Sequence, residues 1–109
     1  MMKINVLIVE PEKAPRLANI DNELEAMQKI VGGLIQPVKP PQFKDDAIVV
    51  CNEEGKLLDL PPNMPLIDSN GNVYDMIVGT FFICRAPADS EDFESLTDEQ
   101  INKYFWLCM

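Results

Sequence analysis

Three stretches of mostly apolar residues predict the buried strands of the fold. Residues 3–9 are largely aliphatic or β-branched, residues 47–51 are all apolar, and residues 76–84 are interrupted only by Gly79-Thr80. Such runs are typical of strands that are covered on both faces. We predict central strands at 3–9 and 76–84 and a short strand at 47–51. Gly79 indicates a bulge or a close approach of a backbone or a ligand.

Turn-forming residues beside shorter apolar segments predict hairpins. Residues 16–20 alternate well enough to return as a strand after the first one. Asn70-Gly71 lies between apolar flanks, which is the strongest short hairpin signal. Because hairpins and short connections join neighbouring strands, the pattern favours antiparallel pairing.

Two further segments are interpreted as strands. Residues 34–38 contain Pro37, which lacks a backbone donor and therefore places this strand at a sheet edge. Residues 57–60 are predicted to return as a strand after a turn in which Gly55 is free to adopt a positive φ.

Two segments have the apolar period of a helix. Asn22 and Glu25 resemble a capping box at the start of the first helix, and Gly32-Gly33 ends it. Thr97 and Gln100 form a capping box for the second helix. The apolar stripes are Leu24, Met27 and Val31 in the first helix and Ile101, Tyr104, Phe105 and Cys108 in the second.

These elements predict an α+β fold in which a mixed, mainly antiparallel sheet is packed by two amphipathic helices. We expect both helices to bury their stripes on one shared sheet face. The length of 109 residues predicts a single domain over residues 1–109. Trp106 and Met109 lie off the stripe of the second helix, where they are available for contact in a homo-oligomer.

The net charge of the chain narrows the classes of macromolecule that it is expected to bind. Eighteen acidic residues against nine basic ones give a formal net charge of -9, which repels phosphate backbones and disfavours direct nucleic-acid binding. The acidity gathers towards the carboxyl end, where residues 89–99 form an acidic stretch. This stretch is a solvated surface or, alternatively, a DNA-mimicking face that occupies a basic protein groove.

Cysteine usage and hydropathy predict the compartment. Cys51, Cys84 and Cys108 are widely spaced and odd in number, which is typical of free thiols in a reducing compartment. No apolar run approaches the roughly 18–20 residues of a membrane span, and the amino terminus has no cleavage-site pattern. We expect a cytoplasmic protein that has no membrane partner.

Catalytic chemistry is scarce in this sequence. The chain contains no histidine, so a histidine base, a histidine-activated nucleophile and a histidine metal ligand are all excluded. Phosphate-binding, dinucleotide-binding and Cys-x-x-Cys motifs are missing as well. We therefore predict a protein that is not an enzyme and needs no cofactor and no metal. Oxygen ligands near Gly71 do not have the spacing of a calcium loop, and a plain hairpin explains them better.

Four blocks of the sequence together resemble a known family. They are residues 25–33, residues 51–57 with 60–63, residues 77–82 and residues 96–100. The chain resembles small uncharacterised proteins of bacteriophages and bacterial mobile elements that are described only as a domain of unknown function. The resemblance spans most of the chain and implies an accessory role in which the protein binds host components in the host bacterial cytoplasm. It brings no activity, so function has to be argued from a site.

The candidate ligand site follows the apolar strand at 47–51. We predict that Asn52, Glu53, Lys56, Asn63 and Thr80 bind a ligand, because they combine amide, carboxylate, ammonium and hydroxyl groups near Gly79. Such a mixture suits a small polar or nucleotide-like ligand. The alternative is that the two asparagines only cap turns and that Lys56 is solvated.

Two functional hypotheses follow. In the first, a non-enzymatic phage or mobile-element accessory protein binds and sequesters a small host ligand, such as a nucleotide-derived defence signal, and so acts in counter-defence. In the second, an acidic inhibitor or adaptor binds a basic host protein. Salt sensitivity separates them, because an exposed acidic interface weakens as ionic strength rises.

Overall fold

The computed structural model describes residues 2–109. Its strands and helices follow the hydrophobic pattern of the chain closely. In chain order they are β1 (Lys3–Val9), β2 (Arg16–Asp21), α1 (Leu24–Val31), β3 (Ile35–Val38), β4 (Ala47–Asn52), β5 (Pro62–Ile67), β6 (Val73–Val78), β7 (Phe81–Arg85) and α2 (Asp98–Leu107).

Five strands form the main sheet in the order β2-β1-β7-β4-β3, and β5 and β6 form a separate hairpin. Every strand pairing among the described residues is antiparallel. The predicted α+β class with a mainly antiparallel sheet is confirmed. The predicted edge position of the strand that contains Pro37 is confirmed as well, because β3 is the last strand of the sheet.

Apolar residues alternate between two cores, one on each face of the main sheet. Ile4, Val6 and Ile8 of β1 face α1, where they pack with Met27 and Val31. Their neighbours in β1 and the matching residues of β4 and β7 face the β5–β6 hairpin and α2 on the other side. That second core consists of Leu7, Val9, Phe43, Ala47, Val49, Cys51, Met64, Leu66, Ile77, Phe81, Ile83, Leu96 and Tyr104.

The expectation that both helices share one sheet face is wrong. Met27 of α1 and Tyr104 of α2 belong to different cores, so the helices lie on opposite faces of the sheet. The physical reason is that both faces of the central strands are apolar and each has to be covered.

The start of α1 also differs from the predicted capping box. Glu23 occupies the N-cap position, and no side chain caps the helix. Asn22 still extends the hairpin, because its backbone N–H donates to the Met2 carbonyl at 2.9 Å. Its side-chain amide donates to the Phe93 carbonyl at 2.9 Å. The predicted helix end is confirmed, since Gly32 has φ +83°.

The capping box of α2 is confirmed. The Thr97 hydroxyl accepts from the Gln100 N–H, and the Gln100 side chain accepts from the Thr97 N–H at 3.0 Å. The predicted stripe of this helix packs on the second core, with Tyr104 fully buried and Ile101, Phe105 and Cys108 partly buried.

The apolar run at 76–84 is two strands and not the single central strand predicted. β6 ends before Gly79, which has φ +76° and whose N–H donates to the Pro61 carbonyl at 2.7 Å. A Cβ at Gly79 would lie 2.6 Å from Leu60 Cδ1, so the close neighbour of this position is a side chain, where the sequence predicted a backbone or a ligand. This break lets the chain pass from the small hairpin into the main sheet.

The predicted strand at 57–60 is wrong, because turns occupy residues 53–59. Backbone bonds of the helical-turn type hold them, including Leu58 N–H to Glu54 O at 2.9 Å and Leu60 N–H to Gly55 O at 3.0 Å. The next strand begins only at Pro62. The Asn70-Gly71 hairpin, by contrast, is confirmed by the pairing of β5 with β6.

The three cysteines are free, and Cys51 and Cys84 are buried. Burial raises the pKa of the Cys84 thiol to about 12 and that of the Cys108 thiol to about 11. These thiols therefore behave as inert packing groups at neutral pH. Within residues 2–109 there is no helix with the length and apolar character needed to span a membrane.

Candidate functional site

A cleft of about 440 Å³ opens beside the edge strand β3, between the main sheet and β6. Strands β3 and β4, the turn after β4 and the strand β6 supply its walls. The lining residues are Gln36, Val38, Cys51, Asn52, Glu53, Gly55, Lys56, Leu57, Leu66, Tyr74, Asp75, Met76, Ile77 and Val78. Its volume falls within the range of about 300–1,000 Å³ that is usual for small-molecule sites.

Asn52 builds the inner end of the cleft. It is buried, its Nδ2 donates to the Val31 carbonyl at 3.2 Å, and its Oδ1 accepts from the Glu54 N–H at 2.8 Å. The side chain therefore joins the last residue of α1 to the turn after β4. A Cβ at Gly33 would lie 3.0 Å from Asn52 Nδ2, so a glycine there leaves room for this contact.

Gly55 lets the turn pack directly against β6. A Cβ at this position would lie 2.8 Å from Val78 Cγ2 and 3.4 Å from the Asn52 carbonyl. The predicted positive φ at Gly55 is wrong, because the positive-φ residue in this segment is Asp59, at 55°. The structure requires glycine at this position because there is no room for a side chain, and not because of an unusual backbone angle.

Charged and aromatic groups stand at the mouth of the cleft. The Lys56 ammonium forms an ion pair with the Asp75 carboxylate, and both side chains are exposed. Hydrogen bonds from Lys56 and from the Met76 N–H lower the pKa of Asp75. Glu53 is exposed, and Tyr74 is 56% exposed. The mouth has a net negative charge, because it contains two carboxylates and one ammonium.

Asn63 lies elsewhere and supports the hairpin. Its Nδ2 donates to the Val9 carbonyl at 3.0 Å and to the Gly79 carbonyl at 2.8 Å, which ties β5 to the end of β1. It lines a smaller cavity of about 160 Å³ beside the end of α2. Thr80 is half-buried in the connection between β6 and β7, and it lines neither cavity.

The structure thus brings together Asn52, Glu53 and Lys56 and leaves Asn63 and Thr80 outside the cleft. The amides of Asn52 and Asn63 are engaged by backbone groups of the fold. Of the five predicted residues, Glu53 and Lys56 are the two in the cleft whose charged groups are exposed to solvent.

Comparison with known proteins identifies a family. The model of the family described as Domain of unknown function (DUF3846) matches residues 2–108. The chain belongs to this family. Membership in DUF3846 confirms the resemblance to a domain of unknown function, while the phage and mobile-element origin stays a prediction. No curated protein matches the chain, and no solved structure does.

Sequence reasoning missed three groups of the cleft in this DUF3846 chain. Tyr74 and Asp75 belong to β6, and Gln36 belongs to β3, so tertiary packing brings them to the turn after β4. The available signal was the run of oxygen-bearing residues around Gly71, in which Asp75 is the last. Asp68 of that run serves the hairpin turn, because its Oδ1 accepts from the N–H groups of Asn70 and Asn72, each at 2.9 Å.

A second polar cluster, which we call the α2 network, holds α2 to the sheet. The buried Tyr104 hydroxyl donates to Asp45 Oδ1 at 2.6 Å, and Gln100 Nε2 donates to Asp46 Oδ1 at 2.9 Å. Arg85 forms ion pairs with Asp46 at 3.3 Å and Glu94 at 3.2 Å. Its Nε also donates to the Ser95 carbonyl at 2.7 Å, and Lys103 pairs with Asp45 at 3.6 Å.

Two groups of this network, the Asp45 carboxyl and the Tyr104 hydroxyl, have shifted pKa values. Partial burial acts to raise the pKa of Asp45, but hydrogen bonds from Tyr104 and the Ala47 N–H, with the charge of Lys103, outweigh it and lower that pKa to about 2. Burial, followed by the hydrogen bond to Asp45, raises the pKa of the Tyr104 hydroxyl. The polar groups of the α2 network are engaged with one another, so the network serves stability.

Proposed function

We propose that this protein is a non-enzymatic binding protein that holds a small polar ligand in the cleft between β3–β4 and β6. The observation that supports the proposal is the convergence of Asn52, Glu53 and Lys56 on one cleft with Tyr74 and Asp75. A backbone framework fixed by Asn52 and Gly55 positions this mouth, while the charged groups stay exposed.

The negative charge at the mouth favours the base or nucleoside part of a nucleotide-like ligand over its phosphates. Glu53 and Asp75 outnumber Lys56, and Asp75 already holds the ammonium. A polyphosphate would meet a negative field and would have to draw Lys56 away from Asp75. A base or nucleoside, in contrast, offers N–H donors to the carboxylates and a flat face to the Tyr74 ring. We therefore propose a neutral or cationic ligand of nucleoside character.

The biological role rests on the family resemblance. An accessory protein of a phage or mobile element that sequesters a host signal of nucleoside character would act in counter-defence in the host cytoplasm. Such a role requires binding without turnover. It agrees with a chain that has no histidine and whose buried thiols have raised pKa values.

Thermal unfolding against a panel of nucleosides, cyclic nucleotides and linear nucleotides tests this proposal. A ligand at about a hundredfold its dissociation constant stabilises a fold by about 2.7 kcal/mol. We expect a dose-dependent rise in Tm that is lost in Tyr74→Ala and reduced in Lys56→Ala, because the Lys56 ammonium holds the Asp75 carboxylate in place. Lys13→Ala is the matched control, because Lys13 is exposed and paired with Glu10 away from the cleft. A panel that leaves Tm unchanged contradicts the proposal.

A second candidate function rests on the acidic segment, which we define as Asp89, Glu91, Asp92, Asp98 and Glu99. No described residue forms an ion pair with these five carboxylates, so their charge remains free to attract a basic host protein. Glu94 differs because it pairs with Arg85 and belongs to the fold.

Affinity capture from bacterial lysate at low and high salt tests the second candidate. We expect one basic protein to be retained at low salt and released at high salt, because exposed charges are screened. Replacing all five residues of the acidic segment by their amides while keeping Glu94 removes the charge of the segment without disturbing the Arg85 pairs. Retention of the same protein by this variant would exclude the acidic segment as its binding surface.

A further inference from the structure

Two residues from different walls of the cleft expose apolar surface at its mouth. Leu57, in the turn after β4, is 85% exposed, which is the largest exposed fraction of any large apolar side chain among residues 2–109. Tyr74, in β6, lines the same cleft and is also exposed. A ligand that covers these side chains gains free energy, because it removes apolar surface from water.

The turn that carries Leu57 is held by backbone hydrogen bonds. The Leu58 N–H donates to the Glu54 carbonyl at 2.9 Å, and the Asp59 N–H donates to the Lys56 carbonyl at 3.2 Å. The backbone around Leu57 is therefore ordered before a ligand arrives, which lowers the cost of binding. Two apolar surfaces on different walls suit a flat ring, because a planar base stacks between aromatic and apolar side chains.

The two carboxylates of the mouth differ in how far their oxygens are engaged. Asp75 Oδ1 accepts hydrogen bonds from the Lys56 ammonium and from the Met76 N–H. The Glu53 carboxylate lines the same cleft, is exposed, and has no ion pair with any residue of the described chain. Because a carboxylate accepts through two oxygens and donates nothing, Glu53 can receive two neighbouring N–H groups of a ligand.

We propose that the ligand of the cleft is a guanine nucleoside, an inference that rests on the proposed function of the cleft. Guanine has its N1–H and its 2-amino group side by side on one edge, and these two donors match the two oxygens of Glu53. The faces of the ring pack on Leu57 and Tyr74. The negative charge of the mouth disfavours phosphates, so the ligand is the nucleoside and not its phosphate ester.

The other bases do not offer two neighbouring donors. Adenine and cytosine each have one amino group beside an acceptor nitrogen, whose lone pair would face a carboxylate oxygen. The N–H of uracil lies between two carbonyl oxygens, and hypoxanthine has N1–H but lacks the amino group. A site that pairs with N–H groups rejects an analogue without them, because its own polar groups then stay unpaired.

A series of four ligands tests the choice of base on the unmodified protein. Isothermal titration calorimetry with guanosine, inosine, adenosine and guanosine monophosphate gives the four dissociation constants. We expect guanosine to bind about tenfold more tightly than inosine, from which it differs by one amino group, and adenosine to bind more weakly than both. Guanosine monophosphate should bind more weakly than guanosine, because its phosphate meets the carboxylates of the mouth.

Glu53→Gln tests which residue selects the base. An amide has one acceptor and one donor group, so it matches the amino group and the acceptor nitrogen of adenine. We expect the affinity for guanosine to fall about tenfold and that for adenosine to rise. Glu54→Gln is the matched control, because Glu54 is the exposed neighbour of Glu53 and does not line the cleft. A purely structural role of Glu53 would weaken all nucleosides alike.

Leu57→Ala tests the apolar contact with the ring. We expect the affinity for guanosine and that for adenosine to fall by a similar factor of about five to ten, because both rings lose the same apolar surface. The preference between the two bases should stay unchanged. Leu58→Ala is the matched control, since Leu58 is exposed in the same turn and does not line the cleft.

The outcomes separate this inference from the proposed function. Equal affinity for guanosine and adenosine in the wild type, tighter binding of guanosine monophosphate than of guanosine, or an unchanged base preference in Glu53→Gln would overturn the guanine assignment and leave a nucleoside site in the cleft. Equal guanosine affinity in Leu57→Ala and Leu58→Ala would overturn the role of Leu57. If no nucleoside binds the wild type, both the inference and the proposed function are wrong. If Glu53→Gln does not fold, the ligand series on the wild type decides.

Discussion

The α2 network and the cleft mouth contain similar residue types but use them differently. In the network, Arg85 is 24% exposed and its guanidinium binds two carboxylates and a carbonyl. In the mouth, Lys56 is 64% exposed and its ammonium binds one carboxylate that is itself exposed. Groups that satisfy one another away from water stabilise a fold, whereas exposed groups with unused bonding capacity are available to a ligand.

We therefore assign stability to the α2 network, and the proposed function assigns ligand binding to the cleft mouth. Substitutions in the α2 network should lower the free energy of unfolding. Substitutions of the exposed groups at the cleft mouth should leave it unchanged and should alter ligand binding alone.

Arg85→Ala gives the largest expected effect. It removes a half-buried guanidinium together with its bonds to Asp46, Glu94 and the Ser95 carbonyl, so the free energy of unfolding should fall by about 2–3 kcal/mol. Urea denaturation measures the loss. Arg85→Lys should recover only part of it, because an ammonium cannot reproduce the forked contacts of a guanidinium. A loss below about 0.5 kcal/mol, the usual size for a surface substitution, would show that the network does not stabilise the fold.

Gly55→Ala tests whether the framework of the cleft is rigid. The new Cβ would lie 2.8 Å from Cγ2 of Val78, a β-branched residue with little freedom to move. We expect a loss of about 1–3 kcal/mol in the free energy of unfolding, as for other overpacked sites. Gly71→Ser is a control for glycine replacement, because nothing lies within 4 Å of a Cβ at Gly71 and its cost comes from φ +81° alone. Equal losses in the two variants would contradict the packing argument.

Tyr104→Phe isolates one hydrogen bond of the α2 network. The ring stays packed against Phe43 at a centroid distance of 4.4 Å, while Asp45 loses its 2.6 Å donor. The free energy of unfolding should fall by about 1–2 kcal/mol. Tyr74→Phe is the matched control at the cleft mouth, where the phenol is exposed, and should not change stability.

Acid sensitivity follows from Asp45. Its pKa is about 2 in the folded chain against an ordinary value of 3.8, so the folded state favours the ionised carboxylate. Its contribution is present above pH 4 and is lost as the pH falls from 4 towards 2. Asp45→Asn should reduce the decline in Tm over that interval. An unchanged pH dependence in this variant would show that other carboxylates cause the acid sensitivity.

Lys56→Ala gives the smallest expected effect on stability. Because the ion pair with Asp75 is exposed, the free energy of unfolding should stay within the error of the measurement. The same variant should reduce the ligand-induced rise in Tm, because Lys56 no longer holds Asp75 in place. A clear loss of stability without ligand would show that Lys56 supports the fold and would contradict its assignment to ligand binding.

Much of the fold was predictable because local patterns determine it. Period-two and apolar runs identified β1, β4 and both hairpins, and capping residues identified α2. The side on which each helix packs was not predictable, because central strands that are apolar on both faces carry no signal for it. The break at Gly79 was missed for a similar reason, since the apolar run continues across it.

The candidate site was predictable only where its residues are neighbours in sequence. Asn52, Glu53 and Lys56 lie in one turn, so a reading of the chain placed them together. Asp75 joins them through the packing of β6, which is a tertiary contact between residues 19 positions apart. Asn63 was assigned to the site by its chemistry, but its amide binds two backbone carbonyls of the fold.

Chemical-shift mapping of the ¹⁵N-labelled protein with the best nucleoside of the thermal panel tests the central claim most directly. The backbone signals of Glu53, Gly55, Lys56 and Asp75 should move on titration, and those of Asp45, Arg85 and Gln100 should stay in place. Saturable shifts confined to the cleft would agree with a binding site there. Shifts centred on the α2 network, or none at saturating nucleoside, would contradict the assignment of binding to the cleft.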